Sequence, residues 1–154
     1  MVLAGDSIVQ AYPLNHPRRG WGQFLADHFD SGVKIVNLAK SGRSTKTFRA
    51  EGLWAKLLAE KPDIVLIQFG HNDARAKEGT GATDRTTGFK DNREEDSKSF
   101  TVNKPNKRTS PGTEDRTHCT EKGARELAKM VVKRLCEVND RLKAHLRPST
   151  PEQL

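Results

Sequence analysis

The sequence predicts an α/β fold built on a parallel sheet, and three observations carry that prediction. Val2–Ala4, Val33–Leu38 and Ile64–Phe69 read as strands, the first and the last of them buried on both faces. Segments with apolar residues at helical spacing lie between them. Each strand also runs on into a polar turn, at Ser7, Gly42 and Asn72. Ligands of open parallel sheets bind beyond the carboxyl ends of the strands, so these three turns fall along one functional edge.

In chain order, Val2–Ala4 is the first strand and ends in Gly5-Asp6-Ser7. Residues 11–20 contain Pro13, Pro17 and Gly20, which is loop chemistry. Trp21, Phe24, Leu25, His28 and Phe29 then predict an amphipathic helix over 20–29, closed by Gly32. Val33–Leu38 is the second strand, followed by the turn Ser41-Gly42-Arg43-Ser44-Thr45. Phe48, Leu53, Trp54, Leu57 and Leu58 predict one helix over 45–60, broken by Pro62 and Asp63. Ile64–Phe69 is the clearest strand and ends in Gly70-His71-Asn72-Asp73.

The apolar signal then fades. Residues 74–113 are rich in Gly, Thr, Lys, Asp, Glu and Asn and read as a polar, poorly ordered segment, with 99–103 a weak edge-strand candidate. A last helix over 120–145 follows, with Thr120 as N-cap and Ala124, Leu127, Ala128, Val131, Leu135, Val138 and Leu142 on one face. The expected organisation is one domain over 1–146 and a tail over 147–154.

Composition bounds the function classes. Of 154 residues only 34% are hydrophobic and 31% charged, against about 25% charged in an average domain, as expected if part of the chain is unpacked. The net charge of +7 would suit an acidic partner, but Lys and Arg are intermixed with Asp and Glu, and no nucleic-acid-binding motif is present. Nucleic acid is therefore not expected as a partner. No apolar run approaches the roughly 20 residues of a membrane span, and no basic-then-apolar signal segment is visible. Cys119 and Cys136 lack metal-ligand or redox spacing and read as thiols rather than a disulfide.

Ser7, at a strand end, is a candidate nucleophile, and a serine hydroxyl needs a base to take its proton. Among five histidines, His118 directly precedes the last helix and follows Asp115 by three residues. One short turn then lets a carboxylate orient an imidazole. Backbone N–H groups of Ser7 and Gly42 and the Asn72 amide are candidate oxyanion donors. Gly42 can equally be a glycine chosen for positive φ, and Asn72 a turn former. Their occurrence at successive strand ends, together with Asp-x-x-His, favours the joint reading.

These four motifs resemble the SGNH (GDSL-type) hydrolases: Gly5-Asp6-Ser7, Gly42 in Ser41-Gly42-Arg43-Ser44, Asn72 in Gly70-His71-Asn72-Asp73, and Asp115 with His118. Wider wording is closest to the rhamnogalacturonan acetylesterase-like branch, as in Gly20-Trp21-Gly22-Gln23, Asn37-Leu38-Ala39, Gly42 through Phe48, and Glu121-Lys122-Gly123-Ala124. The resemblance implies a three-layer α/β/α, flavodoxin-like fold. It also implies a serine esterase that removes acetyl groups from a carbohydrate, pectin-like or otherwise, or from another small ester. Ser7, His118 and Asp115 would be its triad, and Ser7, Gly42 and Asn72 its oxyanion hole, with no metal or cofactor. A secreted or periplasmic location would follow from the same resemblance, and the oligomeric state would not.

The sequence departs from that pattern in the middle, where two further parallel strands are expected between Asn72 and Asp115 and no apolar run fits them. The expectation is a shortened sheet lacking its fourth and fifth strands, with Ile64–Phe69 turned into an edge unless 99–103 covers it. The alternative function is accordingly an impaired relative acting at most as a saccharide- or partner-binding protein.

Overall fold

The computed structural model describes residues 1–73 and 117–148. Its sheet has three strands, β1 (Val2–Gly5), β2 (Val36–Asn37) and β3 (Val65–Gln68), in the order β2-β1-β3. All pairs are parallel, with Val2 opposite both Val36 and Val65. The polar segment over 74–113, with its weak edge strand over 99–103, lies outside the described residues.

Alternation along β1 builds the layers. Successive side chains of a strand point to opposite faces. Leu3 therefore enters one core with Trp21, Phe24, Leu25, Phe29, Ala124, Ala128 and Val132. Val2 and Ala4 enter another with Phe48 and Leu57, against which Trp54, Val65 and Phe69 pack. The sheet is thus covered on both faces, the α/β arrangement expected from the sequence. Helix α3 (Glu121–Val138) covers the first face, helices α1 (Thr45–Ala50) and α2 (Leu53–Ala59) the second.

Several elements differ from the sequence expectation. The helix over 20–29 is two 3-10 turns, Trp21–Gln23 and Leu25–His28. Phe24, at φ −101° and ψ −2°, separates them, and the bonds run three residues back, from Phe24 N–H to Trp21 O and from Asp27 N–H to Phe24 O. Apolar spacings of three and four suit either helix type, so periodicity alone does not distinguish them. The helix over 45–60 is split at Gly52, whose φ of +74° is left-handed backbone that L side chains avoid. Ser44 starts α1 with a capping box: its hydroxyl accepts from Thr47 N–H, and Thr47 Oγ1 accepts from Ser44 N–H.

The last helix also divides. Thr120 caps α3, accepting from Gly123 N–H at 3.2 Å. The helix stops at the extended Asn139, whose side chain caps the short α4 (Asp140–Lys143). Beyond it, Phe29 and Leu146 form an antiparallel bridge, and Arg147 N–H bonds to His28 O. Over 33–38 every residue but the exposed Lys34 is half-buried, because β2 is an edge. Its pairing still runs along β1, with Val36, Leu38 and Lys40 N–H donating to Met1, Leu3 and Gly5 carbonyls.

Strand β3 shows the largest departure from a doubly buried strand. Ile67 is 58% exposed, while Val65, Leu66 and Gln68 are half-buried. No strand pairs beyond it among the described residues, so one flank lacks the cover that a central parallel strand has. Cys119 and Cys136 are buried thiols on the α3 side. No described helix is long and apolar enough to cross a membrane.

Candidate active site

The site begins where β1 ends. Val9 and Gln10 N–H groups fold back onto the Asp6 carbonyl, making a tight turn that leaves Ser7 just beyond the strand. Ser7 is almost fully buried, as is Asp6. The Asp6 carboxylate faces inward: Oδ1 accepts from Ile8 N–H at 2.9 Å and Oδ2 from Asn72 Nδ2 at 3.4 Å. Burial pushes the Asp6 carboxyl above its ordinary range, while the Ile8 N–H bond and the nearby His71 and His118 pull it back.

The second turn follows β2. Gly42 has φ +77°, with open space where a Cβ would stand, so its backbone conformation rather than crowding calls for glycine. The third turn follows β3, and its side chains tie the edge together. Asn72 Nδ2 also donates to Arg43 O at 3.1 Å, next to Gly42, so one buried amide touches both other turns. Asp73 accepts from Thr45 N–H at 3.0 Å and from the Thr45 hydroxyl through Oδ1, and from Gly70 N–H at 3.1 Å through Oδ2. That fixes the third turn to the start of α1.

The fourth segment arrives from the far end of the chain. Arg19 and Cys119 form an antiparallel bridge, with Arg19 N–H donating to Cys119 O at 3.0 Å. The buried Arg19 guanidinium gathers the carbonyls of Pro13, Leu14, His16 and Arg18, so the bridging strand belongs to an ordered loop. Thr117 Oγ1 lies 3.4 Å from His71 Nε2 on the other side. Held between these contacts and the Thr120 cap, His118 Nε2 lies 2.9 Å from Ser7 Oγ. That is hydrogen-bond reach for a nucleophile and its base, across 111 positions of sequence.

Of the residues singled out from sequence, Ser7 and His118 are in contact, and Asn72 joins the Ser7 and Gly42 turns. Asp115 lies outside the described residues. Sequence reasoning gave no role to Asp6, Tyr12, Arg19 or Asp73. Asp6 and Asp73 stand inside the motifs, so their position was a usable signal. Tyr12 and Arg19 sit among loop prolines and carry no pattern. Among the described residues no group of three or more His, Cys, Asp or Glu side chains is arranged to hold a metal ion.

A model of the GDSL-like lipase/acylhydrolase family matches residues 3–146. The chain is 41% identical over 90 residues to the probable rhamnogalacturonan acetylesterase YesY of Bacillus subtilis, over 57% of this chain and 42% of that protein. It is 44% identical over 79 residues to the rhamnogalacturonan acetylesterase RhgT of the same organism, over 49% of this chain and 34% of the relative. With the rhamnogalacturonan acetylesterase of Emericella nidulans the identity is 37% over 73 residues, 46% of this chain and 27% of the other. The matched stretches thus span less than half the length of these curated relatives.

Proposed function

Because this chain belongs to the GDSL-like lipase/acylhydrolase family, we propose that it is a serine ester hydrolase that removes acetyl groups from a carbohydrate. The observation that carries the reading is the 2.9 Å approach of His118 Nε2 to Ser7 Oγ. The substrate class rests on the names of the three relatives.

In this reading Ser7 Oγ attacks the ester carbonyl carbon while His118 Nε2 takes the hydroxyl proton. Negative charge gathers on the carbonyl oxygen, where the Ser7 and Gly42 N–H groups and the Asn72 amide receive it. The long 3.4 Å contact from Asn72 to Asp6 is the weaker of that amide's two bonds, so its N–H is the one to turn toward an oxyanion. Collapse expels the sugar oxygen, protonated by His118, and leaves acetyl on Ser7. Water, deprotonated by His118, then releases acetate. Asp115 is assigned the task of holding the imidazole tautomer and stabilising imidazolium.

The test is acetate release from an acetylated saccharide, and p-nitrophenol release from its acetyl ester, by the wild type and by Ser7→Ala. Loss of a triad serine should lower kcat by roughly a millionfold. Equal rates in the two proteins would overturn the esterase reading and leave a binding role for the fold.

A further inference from the structure

The loop between Ser7 and the first 3-10 turn holds a buried phenol that the reaction above does not use. Tyr12 is 8% exposed, its ring stacks on His16 at 4.6 Å, and its N–H donates to Gln23 Oε1 at 3.0 Å. Its hydroxyl donates to the Ser7 carbonyl at 3.0 Å. The phenol is thereby bonded to the backbone of the nucleophile turn. Two residues earlier, the Gln10 side-chain oxygen accepts from Ser41 N–H. Arg43 holds the next peptide, donating from Nη1 to Ser41 O at 2.8 Å.

A hydrophobic contact would fill the same space with Phe, so the hydroxyl needs its own account. A buried hydroxyl costs free energy unless it is bonded, and this one is bonded to the Ser7 carbonyl, while Gln10, two residues earlier, holds the turn that carries Gly42. The oxyanion donors assigned above sit on those same turns, and donors act only when held at a fixed distance from the developing charge. We propose that Tyr12, bonded to the Ser7 turn, and Gln10, bonded to the Gly42 turn, are positioning residues that together set the separation between the Ser7 nucleophile and the Gly42 N–H. The inference rests on the esterase reading. It adds that the loop over 10–12 is a brace rather than a passive connection.

Tyr12→Phe keeps the ring, the stack on His16 and the backbone, and removes one oxygen. The experiment measures kcat and KM for p-nitrophenyl acetate per Ser7 site titrated with a fluorophosphonate, so that misfolded protein is not counted. The expected result is a fall in kcat of about 10- to 100-fold with KM within about twofold, the scale on which misplacement of around 1 Å acts. Gln10→Leu should show the same kcat-specific loss, and Gln10→Glu, which keeps an acceptor for Ser41 N–H, should recover most of it. Unchanged kcat per titrated site in both Tyr12→Phe and Gln10→Leu overturns the brace while leaving the esterase reading intact. So does a loss confined to thermal stability. Wild-type hydrolysis no faster than that of Ser7→Ala removes the esterase reading itself and the brace with it.

Discussion

Asp6 is a carboxylate with almost no access to water, placed between a backbone N–H and the Asn72 amide. Burial is the largest influence on it and raises its pKa above the ordinary 3.8. In the unfolded chain the same group ionises at its usual pH, so in the acid range the native state binds the extra proton. Stability rises with pH only where the unfolded state binds more protons. The Asp6 contribution is therefore fully present below pH 3.8 and is lost as pH rises through the native value. We expect the stability of wild type minus that of Asp6→Asn, from urea titrations at a series of pH values, to fall over that window and then level. The variant also loses the Asn72 contact, but that cost is constant with pH and leaves the slope unaffected. A difference that grows with pH would mean that the Ile8 N–H bond and the neighbouring imidazoles outweigh burial.

At the scale of elements, the sequence located turns better than it located helix types. Gly5-Asp6-Ser7, Gly42 and Asn72 were legible because a buried apolar run that stops abruptly at polar residues marks the end of a strand. His118 was legible because its spacing from Asp115 sits just before a clear N-cap. What periodicity could not supply was the pitch over 20–29, where Phe24 interrupts the turns, or the break inside 45–60. The second case has a clear local cause in Gly52, which has no side-chain neighbour within 4 Å of an added Cβ and a φ of +74°. Space is available there, so only backbone strain opposes Gly52→Ala. The substitution should cost about 1–2 kcal/mol in chemical denaturation, the penalty for an L residue in left-handed backbone. A neutral or stabilising result would show that α1 and α2 readily merge into the single helix that the apolar stripe suggests.

Across the whole molecule, Ser7 follows the first strand and His118 precedes the long α3 helix, so their 2.9 Å contact is a consequence of global packing. The core that joins them runs from Leu3 through Trp21 and Leu25 to Ala124 and Ala128. Small residues on α3 let it approach closely: Ala124 and Ala128 are both 0% exposed. Among the described residues no strand pairs beyond β3, which makes this coupling more important. Ile67 on the β3 edge contributes little burial, and the apolar run that suggested a doubly covered strand says nothing about which neighbour covers it. Esterase activity and far-UV helical signal should consequently be lost at the same urea concentration, as in a two-state transition. Ala128→Leu overpacks the contact between α3 and the sheet and should lower stability by about 1–3 kcal/mol. Both curves should then move together to lower urea with their coincidence preserved. Activity that outlasts the helical signal would mean that the Arg19–Cys119 bridge alone holds His118 at Ser7, independent of the helix that follows it.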